Sequence, residues 1–324
     1  MKRLAVLLGL LLAGLAPPAF AALDPEEAIR AGTARLLDKD PPAAERAFAD
    51  LAEGSAAFTL PFFRGLVTLA RAETAEDPTP ALDAFLEEAA PAFDAAEAAR
   101  EVRPKDAPLH LFLGMAWGTR AMVEGARGHY LSAYRSLRRA LERAAAEGHF
   151  TADLAAMALM HLRVGAEQFT AALPFAERLA GRYPGNPDFA FLLAFLYGET
   201  GRHAEAAAVA ERIRAAMEGG HGNYGPETHP RYVQLLGKLA MDRGQHKAAL
   251  EHFERAYAAR TPRLTWVAAW AATRAGMVHD LLGEREAAIR RYEQALALEG
   301  DGPAHAAARR HLKEPFQGRV RPGP

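Results

Sequence analysis

The chain has 324 residues, a formal net charge of −1 and no cysteine. The near-neutral charge gives no reason to expect a nucleic acid or an anionic membrane as the partner. The lack of cysteine excludes disulfide bonds, thiol catalysis and a lipid anchor on an N-terminal cysteine. The length alone allows about two domains, while a composition rich in Ala, Leu and Arg with few β-branched residues favours helix throughout.

The first residues have the pattern of a secretory signal peptide over 1–21. Lys2 and Arg3 precede an apolar stretch at 4–15, and an Ala-Phe-Ala sequence ends at Ala21. The apolar stretch is short for a membrane-spanning helix. We expect cleavage after Ala21, a periplasmic or secreted location and no membrane-spanning segment afterwards. An uncleaved N-terminal anchor is the alternative.

One pattern occurs twice between residues 231 and 298. A glycine is followed twelve residues later by alanine, four further on by an aromatic residue and three further on by alanine. A missing side chain at the glycine lets a second helix cross close by, and the aromatic ring fills the adjoining space. Gly244 and Gly283 are expected to end the first helices in the left-handed conformation. The two copies are Gly237, Ala249, Phe253, Ala256 and Gly276, Ala288, Tyr292, Ala295.

This pattern resembles the tetratricopeptide repeat, a helix–turn–helix unit of about 34 residues. The resemblance implies an all-α fold, a right-handed α-solenoid of antiparallel helix pairs that stack because each pair leaves one face uncovered. The spacing predicts seven helix pairs. They are centred on Gly32, Gly65, Gly114, Met160, Ala194, Gly237 and Gly276.

The register of the repeats predicts how the chain divides after the signal peptide. One elongated helix pair is expected in the centre, because seven residues more than the pattern needs lie between Gly114 and Gly128. Pro91 should either kink or split the helix that contains it. The predicted segments are degenerate helix pairs at 22–104, central repeats at 105–217, an inserted loop at 218–230, two further repeats at 231–300, a capping helix at 301–314 and a disordered tail at 315–324.

The inserted loop carries a local cluster of possible metal ligands, namely His221, Tyr224, Glu227 and His229. A His-Glu-His set could bind zinc if the chain folded back on itself, but the spacing matches no metal motif. A polar connector is favoured, and a loop that overhangs the groove and touches ligand is a third possibility. HExxH, GxSxG and P-loop motifs are absent, so we predict no metal, no cofactor, no catalytic residue and no enzyme.

The resemblance also implies a ligand-binding groove lined by positions two, five, nine, twelve and thirteen of the first helices. Its middle is apolar and its C-terminal part is charged, and methionine and aromatic side chains suit adaptable recognition of an apolar peptide face. The same side chains could instead pack against neighbouring repeats. Only Arg231 and Lys238 match the cations of grooves that clamp a carboxylate. The positions fall on Leu111, Met115, Thr119, Met157, His161, Asp188, Phe191, Phe195, Glu199, Arg231, Gln234, Lys238, Asp242, Trp270, Thr273, Met277 and Asp280.

These features predict a periplasmic scaffold or adaptor that binds a protein or peptide in its concave groove. A homo-oligomer formed through exposed terminal helices is also possible. The alternative is a lipid or small-molecule carrier, in which the long helix closes over Met157, Phe191 and Phe195. A hydrolase-like metal site in the 218–230 loop ranks third.

Overall fold

The computed structural model describes residues 25–49, 62, 65–69, 79–102, 107–126, 129–145, 151–221, 223–226, 228–261, 264–300 and 302–318. Within these ranges the chain consists of helices and turns without a β-strand, which confirms the predicted all-α fold. The predicted signal peptide at 1–21 lies outside the described residues.

Successive helices form antiparallel pairs joined by short turns. The described helices are α1 (Pro25–Leu37), α2 (Pro41–Ala49), α3 (Thr79–Val102), α4 (Ala107–Ala126), α5 (Tyr130–Ala145), α6 (Thr151–Gly165), α7 (Phe169–Arg182), α8 (Pro187–Glu199), α9 (His203–Glu218), α10 (Thr228–Asp242), α11 (His246–Ala258), α12 (Thr265–Leu281), α13 (Arg285–Leu296) and α14 (Pro303–Lys313).

The glycine and aromatic residue of each predicted copy meet as expected. A Cβ atom at Gly237 would lie 2.6 Å from the Phe253 ring, and one at Gly276 would lie 2.5 Å from the Tyr292 ring. Gly32 faces Phe48 in the same way at the N-terminal end. The helices of a pair can approach this closely only because the first helix has no side chain at that point.

The turns between paired helices use the left-handed backbone conformation. Gly244 and Gly283 have φ of 71° and 75°, as predicted for residues that follow a helix. Lys39 and Glu167 adopt the same conformation with φ of 59° and 56°. Residues with a side chain are disfavoured there by about 1–2 kcal/mol, so the surrounding contacts must stabilise those two turns.

The two longest described helices lie in the first half of the array. Helix α4 has 20 residues, against 13 in α8, and it packs closely on α6: a Cβ at Gly118 would lie 3.1 Å from the Ala155 amide nitrogen. Helix α3 runs through Pro91 without interruption, so the proline does not split it.

The N-terminal helix pair contacts the middle of the array. Thr33 on α1 donates to the Met115 sulfur over 3.2 Å, and the Asn186 amide donates to the Leu37 carbonyl over 2.5 Å. Lys39 forms an ion pair with Asp188. The chain therefore folds back on itself, so that residues far apart in sequence share one surface.

The C-terminal end is closed by α14 and the segment that follows it. The Phe316 amide donates to the Asp280 carboxylate over 2.8 Å, and the Phe316 ring packs 5.2 Å from the ring of His311. The prediction of disorder is therefore wrong for residues 315–318, because Phe316 buries part of its ring against the cap. Residues 319–324 lie outside the described part. Among the described helices none is long and apolar enough to cross a bilayer.

Candidate binding groove

Three successive first helices, α8, α10 and α12, form a surface of alternating aromatic and charged side chains. Arg231 on α10 is the first residue that links these helices. Its guanidinium group lies 2.5 Å from Asp188 Oδ1, 4.6 Å from the centre of the Phe191 ring and 5.6 Å from that of Trp266. One side chain thus joins α8 to α12 by an ion pair and two cation–π contacts.

Phe195 is the second linking residue, about one helical turn further along α8 than Phe191. Lys238 lies 5.4 Å and Arg274 5.9 Å from the centre of its ring. Arg274 also lies over Trp270 at 4.6 Å, and the Phe169 ring approaches Phe195 edge-on at 5.7 Å. The Phe195 ring remains partly exposed.

The far end of this surface holds a compact ionic cluster. Lys238 Nζ lies 2.7 Å from Glu199 and 2.5 Å from Asp242, and the three side chains are 9%, 5% and 12% exposed. Because two carboxylates already surround it, this ammonium group is poorly placed to bind an external carboxylate. The cluster instead holds α8 and α10 in register.

Asp188 is the most strongly perturbed acid of the surface. Burial alone would raise its pKa, but the charges of Arg231 and Lys39 outweigh this effect and lower the pKa to about 2. The carboxylate therefore remains ionised at any physiological pH and binds two cations at once.

Residues 163–220 match the family model described as tetratricopeptide repeat, which covers the end of α6 and all of α7, α8 and α9. The chain contains tetratricopeptide repeats (TPR) in this part. No curated protein matches it. TPR arrays generally mediate protein–protein interactions and are typically non-enzymatic scaffolds.

The structure leaves some of the predicted groove residues accessible and buries others. Accessible to solvent at least in part are Met157, His161, Asp188, Phe195, Arg231, Asp242 and Trp270; buried are Phe191, Gln234, Lys238, Met277 and the side chain of Glu199.

Four predicted groove positions have a structural role instead. Met115 is fully buried against Thr33, and the Thr119 hydroxyl donates to the Met115 carbonyl. The Thr273 hydroxyl donates to Ala304 in the cap over 3.2 Å. Asp280, whose side chain is 1% exposed, anchors the C-terminal end. Their assignment to a ligand-contacting surface was wrong because neighbouring units cover them. The side chain of Leu111 lies outside the described part.

Several important residues of this surface lie outside the positions predicted from the sequence. Trp266, which is 50% exposed, and Arg274 lie four residues before and after Trp270 on α12. Their spacing of four along one helix is a local signal that places all three on one face. Lys39, by contrast, reaches Asp188 from another unit, and no local pattern predicts that contact.

The inserted loop is anchored to the array rather than extending freely into solvent. Tyr224 is buried and its hydroxyl donates to the Pro184 carbonyl over 3.3 Å, while Asn223 donates to the Gly185 carbonyl over 3.2 Å. The loop thus covers the turn between α7 and α8. Among the described residues no group of three or more His, Asp or Glu side chains could hold a metal ion, and Glu227 lies outside them.

His161 provides a probe of the groove's electrostatics. Desolvation lowers its pKa below 6.5, an effect that the nearby Asp188 carboxylate only partly offsets. We expect His161 to titrate below pH 6.5 and Asp188→Asn to lower its pKa further. Because the unfolded chain binds this proton more readily than the folded chain, His161 lowers the free energy of unfolding as the pH falls below 6.5. Imidazole chemical shifts followed by NMR, assigned with His161→Gln, test this; a pKa at or above 6.5 would contradict it.

Proposed function

We propose that this TPR protein is an exported scaffold that captures a protein partner through a peptide segment bound on the surface of α8, α10 and α12. The observation that carries the proposal is the partly exposed aromatic group formed by Phe195, Trp266 and Trp270, which Arg231 and Arg274 contact. Tryptophan and arginine are the residues most often found at the energetic centres of protein interfaces.

The arrangement favours a partner with an apolar anchor side chain. The aromatic rings provide apolar area, and the guanidinium groups beside them provide donors that orient a backbone or a polar neighbour of the anchor. The rings lie on two helices, α8 and α12. Ion pairs hold α8 to α10, and Arg231 of α10 also contacts Trp266 of α12, so little ordering is needed when the partner binds.

The geometry gives less support to a lipid carrier. A lipid site needs an enclosed apolar cavity, whereas cations lie over the rings of Phe191 and Phe195. In the described part of the chain two shallow depressions lie elsewhere, at residues 245–251 and 283–290, and charged side chains help to line them. The location outside the cytoplasm rests on the signal-peptide pattern at 1–21.

Affinity purification from a periplasmic extract tests this proposal, with the mature chain from Ala22 as bait and Phe195→Asp as the groove variant. We expect a partner that the wild type recovers and the variant loses by at least about thirtyfold, the effect of one strong interface residue. The introduced carboxylate lies near Lys238 and Arg274, so the variant should fold. Its thermal transition should stay close to that of the wild type.

Leu131→Asp is the matched control, because it makes the same change in charge at a side chain that is 78% exposed on α5. Recovery should survive this substitution. Equal recovery by wild type and Phe195→Asp would exclude the groove as the binding surface. Lipid in the organic extract of the purified chain, without a protein partner, would favour the carrier instead.

A further inference from the structure

The turn between α1 and α2 lies at one end of the proposed groove. The Asn186 amide donates to the Leu37 carbonyl over 2.5 Å, and the Asn223 amide donates to the next carbonyl, that of Asp38. The ammonium group of Lys39 pairs with Asp188 Oδ2. Three consecutive residues are thus held by two backbone contacts and one side-chain charge, the way in which proteins bind short peptides.

The residues that hold this turn come from two separate elements and are fixed by other contacts. Asn186 Oδ1 accepts the Asp188 amide over 2.9 Å, which orients the Asn186 amide nitrogen towards the turn. Arg231 binds Asp188 Oδ1 and leaves Oδ2 for the lysine. Asn223 is positioned by its second contact with Gly185. The site is therefore preorganised by the inserted loop and by the start of α8.

The turn itself is a strained occupant. Lys39 has φ of 59°, a conformation that side chains disfavour. A peptide that offers the same two carbonyls and a cation without this strain would bind the same residues more favourably. Attachment to the chain compensates for this strain, because a tethered segment acts at an effective concentration in the millimolar range.

We propose that Asn186, Asp188 and Asn223 form a subsite for a lysine-bearing peptide turn, and that residues 37–39 of the same chain occupy it as an intramolecular competitor. This inference rests on the proposed function, because the subsite is one end of the same groove. A partner segment reaches Asp188 only when the chain's own turn leaves. The N-terminal helix pair therefore weakens partner binding, because a partner must displace residues 37–39.

A fluorescein-labelled synthetic peptide that copies residues 33–43 is the probe, and fluorescence anisotropy measures its binding to the full mature chain. In the wild type the attached turn should exclude it. Lys39→Glu replaces attraction to Asp188 by repulsion, so we expect the probe to bind this variant at least about tenfold more tightly than the wild type. Asp188→Asn in the Lys39→Glu background should remove the gain, and a probe with glutamate at the lysine position should not bind.

A reversible lock provides the matched control, since the chain has no cysteine of its own. A Cβ at Gly185 would lie 3.6 Å from Asp38 Oδ1, so Asp38→Cys and Gly185→Cys are the pair to introduce, and formation of the disulfide is verified by loss of free thiol on oxidation. In the Lys39→Glu background the oxidised protein should exclude the probe and the reduced protein should bind it. Equal binding by the two forms would overturn the proposal.

Lys39→Gly provides a second way to free Asp188, because it removes the ammonium group that pairs with that carboxylate. Glycine adopts this φ without strain, so the N-terminal pair should keep its fold. This variant should also gain probe binding; if neither lysine variant gains any, the subsite does not exist. The test is separable from that of the proposed function, because partner recovery is tested at Phe195 and probe binding at Asp188. Probe binding without recovery of a partner would support the subsite and contradict the proposed scaffold role.

Discussion

Asp280→Ala is expected to release the C-terminal cap and to lower the free energy of unfolding by about 3 kcal/mol, the loss typical of a buried charge that holds several partners. The Asp280 carboxylate accepts from Arg285 over 2.9 Å, from the Tyr292 hydroxyl over 2.7 Å and from the Phe316 amide over 2.8 Å. Without it, the donors of Tyr292 and Phe316 remain in a partly buried site with no acceptor from this side chain.

The effect should be local, because a repeat array unfolds from its ends. Arg285 also donates to the His311 and Leu312 carbonyls, each over 2.8 Å. When Asp280 no longer orients that guanidinium group, α14 loses its main polar attachment. Hydrogen exchange should show faster exchange across residues 303–313 and little change in α8.

Tyr292→Phe tests the contribution of the tyrosine hydroxyl to stability separately from that of the Asp280 carboxylate. It removes one hydrogen bond of Asp280 and keeps the ring, so we expect a loss of about 1 kcal/mol. Glu286→Ala on the exposed side of α13 is the control and should change stability by less than about 0.5 kcal/mol. If Asp280→Ala unfolds no earlier than Glu286→Ala, Asp280 is not the anchor of the cap.

Phe253→Ala is expected to lower the free energy of unfolding by about 3–5 kcal/mol, as deletion of a fully buried aromatic ring does. Phe253 is 1% exposed and fills the space beside Gly237, within a cluster that also contains Val233, Ala271 and Val278. The ring therefore supports its own helix pair and the contact with the next pair. Chemical denaturation measures the loss. Leu282→Ala, at a side chain that is 43% exposed, should be nearly neutral.

A double-mutant cycle tests whether the glycine and the ring pack as one unit. Gly237→Ala alone places a Cβ 2.6 Å from the Phe253 ring and should be destabilising through overpacking. Phe253→Leu alone leaves empty space. The double variant should be more stable than the sum of the two losses predicts, by about 1 kcal/mol. Strict additivity would show that the close approach has no energetic role.

The order of helix pairs and their internal packing could be predicted from sequence because they depend on local spacing. Gly237 and Phe253 are sixteen residues apart, a separation that two antiparallel helices and a short turn convert into contact. Gly244 could be predicted in the same way, because a chain that reverses direction within a few residues after a helix needs a residue in the left-handed conformation. The resemblance to the tetratricopeptide repeat assigned Phe195, Arg231 and Trp270 to the groove, and that assignment stays a prediction.

Contacts between distant units were decided only by the tertiary structure. Asn186 meets Leu37 across 149 residues of sequence, and this contact depends on how the whole array curves rather than on any local pattern. The same folding back buries Met115 under Thr33, although its position along the helix predicted a groove residue. Phe316 docks for a related reason, because Asp280 and His311 come together only after α14 has packed. The sequence by itself determined which face each helix presents, whereas only the packing of whole helix pairs determined what covers that face.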